Sequence, residues 1–177
     1  PKAFRRFSAD DGIASPEALR GKTVVGPAGT ILHELLAAYL ASGNMTFSDV
    51  QFVDMSIPNA MAALVGGSAD AALIAGAAAY NLEKDGWHIV TTGENLVDAT
   101  IVTATSRAYA GAHPEAVAAF LEAQREALAF MEENPEETLG FIAHDLDMPE
   151  DAARAMYAYY DFKADITEKD IQGMEKT

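Results

Sequence analysis

The residues best placed to meet a ligand are Gly26-Pro27-Ala28-Gly29-Thr30. They separate a short β-branched run from a stretch with helical spacing. A glycine-containing turn between a strand and a helix aims backbone N–H groups past the sheet edge, where the helix dipole favours negative charge. The spacing is not the dinucleotide fingerprint, and a simple tight turn accounts for the same residues equally well. Other apparent motifs fail. Gly21-Lys22-Thr23 looks like the end of a phosphate-binding loop, but Pro16 stands where the earlier glycine is required, and the strand follows the motif. His33-Glu34 begins like a zinc-protease helix, yet Ala37 holds the place of the second histidine. His33, one turn inside its helix, reads more readily as a hydrogen-bonded packing residue than as a ligand contact. His88, His113 and His144 fall in a strand, a helix start and a tail helix, with no strained serine elbow beside them. The residues therefore predict no catalytic group, no metal ligand and no cofactor. Tyr157, Tyr159, Tyr160 and Phe162 are expected to pack against neighbouring elements, not to form a stacking platform.

The elements that must position the turn are those of an ordinary globular chain. Half of the 177 residues are hydrophobic, enough for a core, and repeats are lacking. Twelve basic against 27 acidic residues give a formal charge of −15, which repels the phosphates a nucleic-acid binder must neutralise. The acidic residues, Glu132, Glu133, Glu136 and Glu137 among them, read as a solvated surface. Without cysteine the chain has no disulfide framework and no thiolate nucleophile. The longest alanine-rich region, residues 60–80, is interrupted by Gly66, Gly67, Ser68 and Asp70, so stable membrane insertion is not expected. The opening Pro1-Lys2-Ala3-Phe4-Arg5-Arg6 has no initiator methionine and no apolar signal core, which predicts that any targeting segment lies outside this sequence.

After an opening strand, Ser15–Gly21 predicts a short capped turn of helix, and 23–26 a strand. A helix follows from Gly29-Thr30, with Leu32, Leu35, Leu36, Tyr39 and Leu40 on one face and Gly43 as its C-terminal cap. Strands are predicted at 50–53, 69–74 and 87–91. The intervening helices are 58–65, with Met61, Leu64 and Val65 inward, and 77–84. Such alternation predicts a parallel sheet covered on both faces. A fifth extended run is expected at 100–105. From His113 the texture turns helical. Val117, Phe120, Leu121, Leu128 and Met131 form a stripe to Asn134-Pro135, and helices follow at 136–145, 149–160 and from about Thr167.

Several stretches, in order, resemble one family. Ser15-Pro16-Glu17-Ala18-Leu19-Arg20-Gly21-Lys22 before a strand, followed by Gly29-Thr30-Ile31-Leu32-His33-Glu34-Leu35-Leu36, resembles the second-lobe opening of nitrate/sulfonate/taurine-type solute-binding proteins of ABC importers. Gly67-Ser68-Ala69-Asp70-Ala71, His113-Pro114-Glu115-Ala116-Val117 and Glu133-Asn134-Pro135-Glu136-Glu137 are similar to later landmarks of that family. The resemblance implies an α/β fold of the type II periplasmic-binding-protein kind. Residues 1–105 would form the second of two lobes, and 106–177 a helical tail that packs on a first lobe whose N-terminal part is not in this sequence. It implies a periplasmic or other extracytoplasmic protein that traps a small solute between lobes and delivers it to a membrane permease, without catalysis.

By the family's loop positions, the implied ligand contacts are Ala28, Gly29 and Thr30 in the first loop, Ser56 and Asn59 in the second, and Ala75 and Gly76 in the third. Relatives often carry an aromatic residue after the third strand. Here Ala75-Gly76-Ala77-Ala78-Ala79 implies a roomier, less polar wall. Two other readings share the fold. An enzyme of thiamin pyrimidine-precursor synthesis would need a nucleophile or metal cluster, and the ligand-sensing domain of a LysR-type regulator would not ordinarily carry the helical tail.

Overall fold

A computed structural model describes residues 4–8, 12–97, 101–163 and 165–174. The chain divides into two compact units, Pro1–Ala99 with Ala158–Tyr160, and Thr100–Tyr157 with Asp161–Thr177.

The first unit carries a five-stranded sheet built from β1 (Phe4–Ser8), β2 (Thr23–Gly26), β3 (Gln51–Asp54), β4 (Ala71–Ala75) and β5 (His88–Thr92). Its order is β3-β2-β4-β1-β5. The strands expected near Thr23, Val50, Ala69 and Trp87 all belong to this one sheet. The expectation of an all-parallel sheet is corrected. β2 pairs in parallel with β3 and β4, but β1 inserts antiparallel between β4 and β5. The reason is long-range pairing. Two strands joined by a crossover helix run the same way, and an antiparallel strand can fill the gap between them without altering either.

Alternation along the strands splits the core into two layers. Val24, Ala71 and Leu73 face α1 (Ile31–Ser42), whose Leu32, Leu36 and Leu40 repeat every four residues along one side. Val25, Ala72 and Ile74 face α2 (Ile57–Val65) and α3 (Gly76–Lys84), through Ala60, Leu64, Ala79 and Leu82. β4 is therefore buried on both faces, which explains its unbroken apolar sequence, Ala71-Ala72-Leu73-Ile74. All five residues expected on the inner face of α1 are buried. In α2, Leu64 is buried but Val65 is 58% exposed, because it lies one residue, about 100°, round the helix from Leu64. Gly43 does cap α1, at an ordinary negative φ of −102°, and Asn44 takes the left-handed conformation at 54°. Glycine stands at 43 for space: a Cβ there would lie 2.5 Å from Pro16 Cβ.

At the N-terminal edge of the sheet, Asp70 ties the strand starts together. Its carboxylate accepts from the Thr23 N–H (2.8 Å) and the Lys22 ammonium (3.2 Å), and its carbonyl accepts from the Ser8 hydroxyl (2.9 Å). The aspartate noted as a family landmark is thus placed to set strand register, at the opposite edge from the Gly26–Thr30 turn.

The second unit contains α4 (Arg107–Ala112), α5 (Pro114–Glu133), α6 (Pro135–Asp145), α7 (Glu150–Tyr157) and α8 (Glu168–Met174). Residues 101–105 form no strand, and Ile101 is 83% exposed; Thr100 lies outside the described residues. Pro114 and Pro135 each start a helix, where a missing N–H costs nothing. The α6–α7 pair has its own small core of Leu139, Ala143 and Ala153, braced by Arg154 holding both oxygens of Glu136 at 2.9 and 2.6 Å. Along α5 the expected stripe is only partly covered. Val117, Leu128 and Met131 are half-buried, whereas Phe120 and Leu121 stay exposed along an open apolar groove that they share with Thr103, Thr105 and Tyr109. Tyr157 stacks on Phe162 with ring centres 5.0 Å apart. In the first unit, Tyr159 receives the guanidinium of the buried Arg5 on its face at 4.6 Å.

Candidate functional site

Three neighbouring parallel strands, β3, β2 and β4, end at the same sheet edge, and each leads into a helix there. β2 is the middle strand of the three, so the turn to α1 stands between the other two. Every expected contact lies at this edge. Ala28, Gly29 and Thr30 are exposed in the β2–α1 turn, Ser56 and Asn59 are exposed at the start of α2, and Ala75 and Gly76 are half-buried where β4 runs directly into α3. The turn is locked to its neighbour by the Met55 N–H, which donates to the Gly26 carbonyl at 3.0 Å.

The geometry of the turn follows from its glycines. Gly26 is buried, and a Cβ on it would sit 2.6 Å from Leu73 Cβ, so only glycine lets the chain leave the sheet so close to β4. Gly29 (φ 68°) and Gly76 (φ 66°) take the left-handed conformation that turns the chain into a helix, and a Cβ on either would meet nothing within 4 Å. Both glycines therefore face open space.

The helix starts carry the chemistry. Thr30, Ser56 and Ala75 are the N-cap residues of α1, α2 and α3, and none of them supplies a side-chain cap. No side chain caps the N–H groups in the first turns of α1, α2 and α3. Thus three helix starts at one sheet edge present unsatisfied donors and the positive ends of three dipoles. None of the 12 lysines and arginines lies at residues 26–30, 54–59 or 75–78.

The turn itself differs from the sequence expectation of free N–H groups. The Ala28 N–H donates to Asp54 Oδ1 at 2.8 Å, and the Gly29 N–H donates to His33 Nδ1 at 3.4 Å. The Thr30 hydroxyl donates to the Pro27 carbonyl at 2.9 Å. His33 is half-buried, tilted against Phe47 (4.5 Å) and Phe52 (4.9 Å). It is a packing residue, as its position in the helix suggested, and it also braces the turn. Asp54 was missed by sequence reasoning. Its one signal is an acidic residue at the last position of a parallel strand, immediately before the Met55-Ser56 loop.

Elsewhere, Thr103, Thr105, Tyr109, Val117, Phe120 and Leu121 of the second unit line an apolar groove of 330 Å³ that contains none of the expected contacts. No group of three or more His, Asp or Glu side chains suited to a metal ion occurs among the described residues, and no described helix is long and apolar enough to cross a membrane.

Comparison with known proteins places these features in context. The family model described as NMT1/THI5 like matches residues 6–138. No curated protein sequence matches the chain. Among solved structures, the periplasmic aliphatic sulphonate binding protein SsuA from Escherichia coli superposes with a TM-score of 0.81 at 23% identity, over 91% of this chain and 56% of that one. The alkanesulfonate-binding protein SsuA from Xanthomonas axonopodis pv. citri, bound to MOPS, gives 0.82 at 22% identity, over 99% of this chain and 62% of that one. The desulfurization enzyme DSZB shares the fold more distantly, with a TM-score of 0.69 at 14% identity over 99% of this chain and 71% of that one. The chain thus spans between half and two thirds of the length of the two binding proteins.

Proposed function

The chain belongs to the NMT1/THI5-like family, and from that premise we propose that it is the larger part of an extracytoplasmic solute-binding protein of an ABC importer. In this reading residues 1–105 are one lobe, 106–177 are a tail that packs on the rest of the protein, and a small solute with an acidic group is held at the β3-β2-β4 edge. The solute is then released to a membrane permease.

The observation that carries the reading is the convergence of three helix starts whose first-turn N–H groups no side chain caps. Each unsatisfied donor is a hydrogen bond waiting for an acceptor, and three positive dipole ends at one edge select an anionic one. Ser56 and Asn59 add side-chain donors with no partner among the described residues. Gly29 and Gly76 keep the approach open, since neither carries a side chain over the donors. Two relatives of the same fold are named for sulfonate binding, which agrees with this chemistry. Capture would work by closure: contacts made only when the remaining part of the protein covers this edge favour the closed state and hold the solute.

Binding without conversion is the favoured reading, because cysteine is absent from the chain and the edge offers donors, not a nucleophile with its base. Calorimetric titration of the full-length protein with a short alkanesulfonate tests it. Saturable binding with the compound recovered unchanged is expected. Thr30→Ala should weaken binding a few-fold to about tenfold, because the hydroxyl already serves the Pro27 carbonyl and only an exchange of partners is lost. An unchanged affinity with a lowered melting temperature would make Thr30 a structural residue and take this edge out of the site. A converted product would replace the binding reading with an enzymatic one.

A further inference from the structure

In the second unit, α5 and α6 hold two phenylalanines out toward solvent. Phe130 is 38% exposed and Phe141 is 56% exposed, and their rings stack with centres 6.3 Å apart. Neither ring lies on the side its own helix uses for packing. Phe130 stands two residues, about 200° round α5, from Leu128, so it faces away from the side that carries Val117, Leu121 and Leu128. Phe141 stands two residues from both Leu139 and Ala143, and so faces away from the α6–α7 core. Carboxylates frame the pair. Glu126 and Glu133 lie four residues before and three after Phe130, and Glu137 and Asp145 lie four before and four after Phe141, spacings that share a helix face. All four are exposed. Asp145 meets the ring of His144 at 3.1 Å, while Glu126, Glu133 and Glu137 have no ion-pair partner among the described residues. No Lys or Arg stands between Arg125 and Arg154, and those two are engaged, with Glu122 at 4.0 Å and with Glu136 at 2.6 Å.

The charge selects what can cover an apolar pair framed in this way. A second copy seated by two-fold symmetry would set the carboxylate frame against its own duplicate. An anionic lipid surface would be repelled for the same reason. A protein segment rich in Lys or Arg fits. Its alkyl stems can lie along the rings, its cationic heads can sit over their faces, and the same heads can reach the carboxylates beside them.

We infer that the Phe130–Phe141 pair and its four carboxylates form a docking surface for a basic segment of another protein. The surface lies on the opposite side of α5 from Val117 and Leu121, which line the apolar groove, so its use does not depend on what fills that groove. It is also separate from the solute-binding reading, since none of its residues belongs to the β3-β2-β4 edge. The rings are what set it apart from the rest of an acidic chain. Net charge draws a cationic segment to any part of the protein, whereas stacked rings between carboxylates hold it at one place.

The test is calorimetric titration of the full-length protein, at about 0.15 M salt, with a short peptide in which lysine and leucine alternate. The wild type is expected to bind it, more weakly as salt rises. Phe141→Ser should weaken binding about three- to tenfold, through the lost cation–ring contact and the lost apolar cover. Glu137→Gln should weaken it about two- to fivefold. Glu115→Gln removes the same charge from the first turn of α5, about 22 Å along the helix from Phe130, and should leave binding unchanged. Phe141→Ser should melt with the wild type, because the ring lies outside the α6–α7 core; if it melts lower, the contrast between Glu137→Gln and Glu115→Gln decides alone. Equal losses in the patch variants and in Glu115→Gln would reduce the binding to net charge and overturn the inference. Failure of the wild type to bind the peptide would overturn it as well. So would a dimer in sedimentation that Phe141→Ser dissociates, which would give the surface to a second copy.

Discussion

Gly26 and Gly29 lie three residues apart in one turn, and the structure gives them different reasons to be glycine. At Gly29 an added Cβ meets nothing within 4 Å, so the cost of Gly29→Ala is the left-handed backbone alone, φ 68°. That is about 1–2 kcal/mol for an L-residue. At Gly26 a Cβ would lie 2.6 Å from Leu73 Cβ and 3.0 Å from its Cγ and Cδ1. Leu73 is fully buried in a strand held on both sides and cannot retreat. Overpacking of this kind costs about 1–3 kcal/mol. The φ of 158°, which side chains rarely adopt, adds about 1–3 kcal/mol more. Gly26→Ala is therefore expected to lose about 2–6 kcal/mol.

Urea unfolding followed by the fluorescence of Trp87 measures this in the right unit, because Trp87 is the single tryptophan and packs against the α2–α3 side of the sheet. With a slope of about 2 kcal/mol per molar urea, the midpoint should fall about 0.5–1 M in Gly29→Ala and about 1–3 M in Gly26→Ala. Leu73→Ala should rescue Gly26→Ala only in part. Alanine removes the two atoms at 3.0 Å but retains the Cβ that makes the closest contact. Equal midpoints for the two glycine variants, or full rescue in the double variant, would refute the steric account of this turn.

Two further outcomes are expected. Leu64→Ala should cost about 2–5 kcal/mol, because Leu64 is fully buried against the sheet, while the adjacent Val65→Ala should stay within about 0.5 kcal/mol; unfolding midpoints by the same fluorescence assay separate them. In the second unit, the hydrogen bonds and charge of Arg154 hold the Glu136 carboxyl below its ordinary range. The stabilisation from this pair is complete above the ordinary carboxylate pKa and is lost as pH falls through the lowered one. Amide exchange in α6 and α7 should thus be faster in Glu136→Gln than in the wild type at neutral pH, and the two should converge in acid. A difference that persists in acid would assign the effect to packing.

What could be read locally was read well. Leu32, Leu35, Leu36, Tyr39 and Leu40 repeat with the helical period, so the buried face of α1 follows from spacing alone. The alternation of strands with helices likewise predicts one sheet. What could not be read depends on residues far apart in the chain. Phe4–Ser8 shows no sign of its direction, because its partners are Ala71–Ala75 and His88–Thr92, more than sixty residues away. The same holds within α2. Met61, Leu64 and Val65 are all apolar, and only the position of the sheet decides that Val65 falls outside.

The candidate site divides along the same line. A glycine turn marks the start of α1 at Gly29 and a proline that of α2 at Pro58, and any helix start leaves unsatisfied N–H groups, so the helix starts were legible one by one. Their convergence was not, because it requires the β3-β2-β4 order, and that order is a product of pairing between strands that no local signal encodes. The register that aligns Gly26 with Asp54 also puts a carboxylate on the Ala28 N–H across 26 residues of sequence. A reading confined to the turn sees donors free to bind an anion. The folded sheet adds a fixed negative charge beside them, on a residue that the turn does not contain.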